Sequence, residues 1–330
     1  MISIVIPYYN QPHNIMNTLA ALNRQTDYDF EVVLVNDGSK DIQSKISNMD
    51  FIFEMNYLYL TRNERSGRAY ARNNGIDAAK GDYIVFLDCD QIIKNNFITM
   101  HKVFFRNAED KGIDILQFGT RKELLRKISI NELNKIEEIE FDTDTRHGVF
   151  QNFGYATNKI TGLWSLVYSH NMSLSKKVLK KHGGFDEAFK GWGLEDSEIA
   201  YRMKKNNVHI IFNPFIETYS QFDEVERNED VQHENWLYNY NVFVNKHRDH
   251  EVIFLEMFKN FFDSKLRHQL YIDGVRSIWV FYYMCYEDIL KRYQLEVKNQ
   301  CTSWNILEYQ DMMDDFIKSQ EEYLLKCFDM

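Results

Sequence analysis

Proline is scarce in this sequence, three in 330 residues, and no stretch is rich in proline or in glycine and serine. No flexible linker therefore announces a domain boundary, and any second domain must be packed on or helical. Basic charge is also in short supply. Lys and Arg number 39 against 49 Asp and Glu, a formal net charge of −10, which argues against a partner held through nucleic-acid phosphates. Long apolar runs are missing too: the longest uncharged apolar stretch, Ser277 to Tyr286, falls far short of the roughly 20 residues needed to cross a bilayer. No basic leader or cleavage site precedes the strand-like run from Ile2 to Pro7, so no signal peptide is expected. A cytoplasmic protein is the expectation, with the inner face of the membrane as a second location left open.

The four cysteines, Cys89, Cys285, Cys301 and Cys327, lack the paired short spacings of a zinc site. Free thiols in a reducing compartment are expected, and a disulfide stays open. Neither Gly-x-x-x-x-Gly-Lys-Ser/Thr nor Gly-x-Gly-x-x-Gly occurs, which excludes a P-loop and a dinucleotide fingerprint. No internal repeat is visible.

What is present is a core: 44% hydrophobic residues suffice for an α/β domain with an appendage. Ile2 to Pro7 is short, β-branched and closed by proline, as a buried parallel strand should be. Ile15, Leu19 and Leu22 then mark a helix opening near Asn14. Phe30 to Val35 is a second strand ending in Asn36-Asp37-Gly38-Ser39, Tyr57 to Leu60 a third, and Gly67 opens a helix through Ala79. Tyr83 to Leu87 is a fourth strand, ending in Asp88-Cys89-Asp90. This alternation predicts a doubly wound, mostly parallel sheet with ligands outside the carboxyl ends of its strands. Tyr9, Asp37, Asp88 and Asp90 all fall on that edge.

Further along, the pattern predicts a helix over 96–109, a strand over 113–119, and a charged helix over 126–140 with Ile128, Leu133 and Ile136 on one side. Residues 141–162 read as a mobile loop near the site, 163–168 as a strand, and 208–212 as a last strand. From about Glu224 the composition turns aromatic and charged, without proline, which predicts a helical appendage. Within it, Trp279, Tyr282, Tyr283 and Tyr286 recur at helical spacing. That spacing suits a packed interface; a homo-oligomer contact, acceptor docking and peripheral membrane association are all open for it.

Three clusters carry chemistry. Side chains alternate along a strand, so Asp88 and Asp90 would share a face and could bind a hard cation that bridges to a polyanion. Gly67 to Asn73 offers backbone N–H groups at a helix start together with Arg68 and Arg72, which suits a pyrophosphate. The alternative for Arg72 is a surface ion pair. In Gly191-Trp192-Gly193-Leu194-Glu195-Asp196, two glycines let a loop approach a ligand, the indole offers a flat face to a sugar, and two carboxylates follow at a helix start. A carboxylate there is a candidate general base, or simply a helix cap.

Together Ser3-Ile-Val-Ile-Pro-Tyr-Tyr-Asn10, Val35-Asn-Asp-Gly-Ser39, Ala71-Arg-Asn-Asn-Gly75, Gly81 to Asp90 and Gly183 to Glu198 resemble the GT-A fold glycosyltransferases of family 2. The Gly-Trp-Gly-x-Glu-Asp form is similar to the bacterial chondroitin-polymerase type and to the catalytic region of β-1,4-galactosyltransferases. The resemblance covers about residues 1–220 and implies a catalytic domain over 1–223, with 224–330 a helical C-terminal extension for acceptor binding or oligomerisation. It implies an inverting transfer of a hexosyl or N-acetylhexosaminyl group from a nucleotide sugar, most often a UDP-sugar, to a hydroxyl of a glycan, glycolipid or glycoprotein, as in polysaccharide biosynthesis.

By the same resemblance Pro7, Tyr9 and Asp37 would contact the nucleobase and ribose, with Arg68, Arg72 and Asn73 nearby. Asp88 would touch ribose or metal-bound water, and Asp90 would ligate Mn²⁺ or Mg²⁺. Trp192 would line the sugar or acceptor pocket, Asp196 would deprotonate the acceptor, and Glu195 would hold acceptor or donor sugar. Relatives carry a histidine metal ligand in a Tyr-His-Gln context, whereas this chain reads Tyr219-Ser220-Gln221; His233 is the candidate substitute. Two other classes stay open: a phosphotransferase using Asp-x-Asp, and a catalytically silent sugar-nucleotide binding module.

Overall fold

A computed structural model describes residues 1–144, 146–152, 154–160, 162–222 and 228–248, together with Val252 and Leu255. The elements, in order, are β1 (Ile2–Tyr8), α1 (Pro12–Leu22), β2 (Phe30–Asn36), the single turn α2 (Gln43–Ile46), β3 (Glu54–Tyr59), α3 (Arg68–Ala78), β4 (Tyr83–Leu87), β5 (Gln91–Ile93) and α4 (Phe97–Asp110). There follow β6 (Ile115–Phe118), β7 (Arg121–Leu124), β8 (Phe141–Thr143), α5 (Arg146–Asn152), β9 (Asn171–Ser175), α6 (Lys176–His182), α7 (Glu195–Lys205), β10 (His209–Phe212), β11 (Thr218–Ser220) and α8 (Glu229–Lys246).

The chain divides into two units. The first comprises Met1–Asp144 and Leu163–Asn235, the second Thr145–Gly162 and Trp236–Met330. The sequence suggests a single cut at 223/224, at the edge of a stretch outside the described residues. In the second unit the rings of Trp236 and Tyr240 stack at 5.6 Å and Phe243 is buried. The expected helices beyond residue 255, the aromatic run from Trp279 to Tyr286, and Cys285, Cys301 and Cys327 lie outside the described residues.

The first unit is built on a seven-stranded sheet in the order β10-β6-β9-β4-β1-β2-β3. β4, β1, β2 and β3 run parallel, and β9 is antiparallel to both β4 and β6. The mostly parallel α/β sheet is therefore as expected. Its central strands are apolar on both sides because both faces are covered: Ile2, Ile4 and Ile6 of β1 pack with Ile15, Leu19 and Leu22 of α1, while α3 lies over Val5 and Val35. Gly75 is what lets α3 come that close. A methyl group there would overlap Val5 Cγ1. A smaller sheet, β5-β11-β7-β8, is laid down by the segment after Asp90.

Three local expectations are corrected. Residues 163–168 are not a strand: Leu163–Leu166 is a 3₁₀ turn, all four residues buried, and the strand is Asn171–Ser175. An apolar run buried on every side carries no period to tell one from the other. The charged helix over 126–140 is a kinked 3₁₀ segment, Ile130–Glu138, with a capping box between Ser129 and Glu132; Ile128, Leu133 and Ile136 are nonetheless all buried in the core. Residues 141–162 are not a plain loop, since β8, α5 and a 3₁₀ turn at Thr157–Lys159 fall inside it. Elements of three to seven residues are too short to show periodicity.

Gly75→Ala tests the close approach of α3. Alanine is favoured over glycine in a helix interior by about 1 kcal/mol, whereas forcing a methyl into a packed strand costs about 1–3 kcal/mol. The expected result is a net loss of stability, read by urea unfolding; an unchanged or raised midpoint would refute the packing.

Candidate functional site

β4 is buried from Ile84 to Leu87 and stops at Asp88. The Asp88 N–H is taken by the His170 carbonyl at 3.2 Å and its carbonyl accepts from Gln91 N at 3.1 Å, so Asp88-Cys89-Asp90 is a turn between β4 and β5. It is not a strand end with alternating side chains. Cys89 is buried, and its carbonyl accepts from Thr18 Oγ1 at 2.9 Å.

Asp90 is held from the next strand. Gln91 Nε2 donates to Asp90 Oδ1 at 2.7 Å and also to Ser220 Oγ at 3.2 Å. Ser220 pairs with Gln91 across the antiparallel β5–β11 ladder, and Gln221 N donates to the Asp90 carbonyl at 2.9 Å. Position 220, where the resemblance expects a histidine, thus stands beside Asp90. Among the described residues no three His, Cys, Asp or Glu side chains gather into a metal-binding group, so His233, on α8, does not join Asp88 and Asp90 in one. The two carboxylates are still hard oxygen donors of the kind Mg²⁺ and Mn²⁺ accept when substrate phosphates and water complete the shell. The donor set fits such a cation.

Arg72 is the centre of the site. Its side chain, 1% exposed, sends Nη2 to Asp88 Oδ1 at 3.0 Å and Nη1 to Glu195 Oε1 at 3.4 Å and Asp196 Oδ1 at 3.5 Å. Burial alone would loosen the guanidinium's hold on its proton, but Asp88, Asp196 and Glu195 outweigh it and move the group further above its ordinary range. Glu195 is shifted as well. Burial and the neighbouring Asp196 charge raise its pKa, and Arg72 and Arg68 offset this only in part. The Asp196 carboxylate is also gripped from a second direction, by Ser169, whose Oγ donates to Oδ1 at 2.5 Å and whose N–H donates to Oδ2 at 3.0 Å.

The loop before these carboxylates is bent hard. Gly191, Gly193 and Leu194 have φ of 64°, 100° and 70°; for leucine that left-handed conformation costs of order 1–3 kcal/mol. A Cβ at Gly191 would run into the Asn235 side chain, so the glycine allows the loop to sit against the start of α8. Trp192, inside the bend, is half-buried. Glu195, Asp196 and Glu198 fill the first turn of α7, where the helix dipole favours negative charge.

A second group gathers at the ends of β1 and β2. The Arg62 guanidinium lies 4.6 Å over the exposed Tyr9 ring, and its Nη1 is 3.9 Å from Asp37 Oδ2. Asp37 is buried, and Oδ1 has no hydrogen-bond partner. Burial raises its pKa, with Arg62, Ser66 and Gly67 acting in the opposite sense. A buried acceptor without a protein partner can take a hydrogen bond from a bound group or from water. Pro7 is half-buried within β1.

The residues expected to meet the nucleotide thus part company. Arg68, exposed at the start of α3, lines an open hollow with Arg65, Lys190, Glu187 and Gly191. Arg72 is turned inward and is neither a surface ion pair nor open to a diphosphate. Asn73 is also structural: Nδ2 donates to the Phe185 carbonyl at 2.9 Å and Glu187 Oε1 at 3.0 Å, and Oδ1 accepts from Phe185 N at 2.9 Å. Arg62, Gln91 and Ser169 also border these groups, outside any motif of the sequence. Gln91, next to Asp90, was findable; Arg62 and Ser169 carry no local signal.

Comparison with known proteins places the chain in a family. The model of a family described as glycosyl transferase family 2 matches residues 3–183, and one described as the N-terminal domain of galactosyltransferase matches 157–226. The chain is 30% identical to a chondroitin synthase of Escherichia coli over 227 residues, 63% of this chain and 33% of that protein. A hyaluronan synthase of Pasteurella multocida is likewise 30% identical, over 61% of this chain and 22% of its own length. The chain therefore spans about a third or less of these two relatives. Among solved structures, S. aureus TarS 1-349 in complex with UDP-GlcNAc superposes with a TM-score of 0.55 at 18% identity, covering 83% of this chain and 74% of that one, a likeness that speaks for the GT-A fold. With more than half of its length matched by the family model, the chain belongs to glycosyl transferase family 2.

Proposed function

We propose that this chain is a metal-dependent, inverting glycosyltransferase that moves a hexosyl or N-acetylhexosaminyl group from a UDP-sugar to a glycan hydroxyl. The observation that carries the proposal is the Arg72 cluster, which ties Asp88, at the end of the fourth strand, to Glu195 and Asp196, at the start of α7. In this reading a donor half and a base half meet at Arg72. The UDP-GlcNAc named for the structural neighbour and the polysaccharide synthases among the relatives support the choice of donor and acceptor.

In this reading Tyr9 and Asp37 receive the base and ribose, and the open Asp37 Oδ1 accepts from a ligand N–H or O–H. Arg68 faces the diphosphate. Asp90, with Asp88, would hold Mn²⁺ or Mg²⁺, which when bound neutralises charge on the leaving diphosphate. Asp196 takes the proton of the acceptor hydroxyl as its oxygen bonds to the anomeric carbon. The glycosyl C–O bond breaks in line and its electron pair leaves with UDP, so the configuration inverts. Glu195 and Trp192 line the sugar pocket. Residues 1–223 would be the catalytic domain and 224–330 an extension serving acceptor binding or oligomerisation. Among the described residues no helix is long and apolar enough to cross a membrane.

A panel of UDP-hexoses and UDP-N-acetylhexosamines, assayed with Mn²⁺ and glycan oligosaccharides, tests the proposal. One donor should be turned over, and the product's anomeric proton should report inversion by NMR. Absence of any transfer, or formation of an aspartyl-phosphate from a phosphate ester, would overturn it. Asp196→Asn should lower kcat by about 10²- to 10⁴-fold, the usual worth of a general base, with UDP affinity by calorimetry nearly unchanged. Asp90→Ala should instead weaken UDP binding, and only when Mn²⁺ is present.

Asp37 allows a pH test. Its raised folded-state pKa means that its favourable contribution is complete below the unfolded-state pKa and is lost as pH rises through the folded one. At neutral pH the buried carboxylate therefore weighs against the fold. Asp37→Asn should raise Tm at pH 7.5, by a margin that shrinks toward pH 4, while weakening UDP binding. A lowered Tm at pH 7.5 would contradict the sign.

A further inference from the structure

Ser169 lies in the turn between the buried 3₁₀ segment Leu163–Leu166 and β9, and it is fully buried. Three facts set it apart from an ordinary buried serine. Its Oγ is 2.5 Å from Asp196 Oδ1, the short range of a hydroxyl donating to an ionised carboxylate. Its own N–H holds the other oxygen, Oδ2, at 3.0 Å. The next residue, His170, accepts the backbone N–H of Asp88 at 3.2 Å. One dipeptide therefore fixes Asp196 through its side chain and Asp88 through its backbone. Arg72 joins the side chains of the same two residues from another side, so Asp88 and Asp196 are linked twice, once through the Asp88 backbone and once through its carboxylate.

A carboxylate that must collect a proton during in-line attack works only if one oxygen stays aimed at the incoming hydroxyl. Asp196 rotates about two side-chain bonds. Arg72 touches it at 3.5 Å, a weak contact, and shares the same nitrogen with Glu195; the bidentate Ser169 grip is the tighter one. We infer that Ser169 is the positioning residue of the reaction, holding the Asp196 carboxylate in the orientation in which it can accept the acceptor's proton. The inference rests on the reading of Asp196 as the base.

The test uses the full chain and the UDP-sugar and acceptor pair that the unaltered protein turns over. Ser169→Ala removes the hydroxyl and leaves the backbone N–H contact; Ser169→Cys restores the volume with a far weaker donor. Both variants should lose about 10- to 100-fold in kcat, with KM for donor and acceptor within threefold, UDP affinity unchanged by calorimetry, and Tm within a few degrees of the parent. Full kcat in either variant would overturn the inference, as would a loss that appears in KM or UDP affinity, or one accompanied by a large fall in Tm. If Asp196→Asn itself keeps full activity, the reading of the base fails instead. The two failures are thus distinguishable.

Discussion

The structure depends on one buried cation. Arg72 is closed off from solvent among Asp88, Glu195 and Asp196, of which Glu195 is buried and the other two are partly exposed, and without it three carboxylates would face one another uncompensated. Removing one member of a buried ion cluster typically costs about 3–5 kcal/mol, because the remaining charges are left uncompensated. The guanidinium does more than neutralise. Its planar fork reaches Asp88 with one nitrogen and the α7 carboxylates with the other, so a strand end and a helix start are brought to one place by a geometry that a lysine's point charge could not reproduce.

Everything around that cation serves the approach of two loops. Gly75 brings α3, and with it Arg72, down onto β1 and β2. The strained Gly191 to Leu194 bend delivers Glu195 and Asp196 at the dipole end of α7. Arg202, one helix face further on, hydrogen-bonds the carbonyls of His182, Gly183 and Gly184 and fixes the turn that leads into this loop. The charge excess of the cluster is held in place by packing and by the hydrogen bonds from Ser169.

The Asp90 side of the site is softer. Gln91 donates to both Asp90 and Ser220, so the position at which the family resemblance expects a histidine carries a hydroxyl already engaged by an amide. A cation there would lean on Asp90 and on the diphosphate itself, which is the manner in which Mg²⁺ is commonly held.

The sequence by itself determined the mostly parallel sheet, the first four strands along the chain, the glycine turn after Asp37 and the helix start at Asp196, because strand alternation, β-branched runs and glycine turns are local signals. It read Asp88 and Asp90 as a strand end, where the structure has a turn. It also put Ile128, Leu133 and Ile136 on one side of a charged helix over 126–140, where the structure has a 3₁₀ segment at Ile130–Glu138 and buries all three. What only the tertiary structure decided is which way the polar side chains of the site point. Arg72 finds its carboxylates 16, 123 and 124 residues away, and Ser169 finds Asp196 27 residues away across a turn that reads as the end of a strand. Buried charges and hydroxyls go to whatever partner satisfies them, and that partner is chosen by the packing of distant elements, which no window of sequence contains.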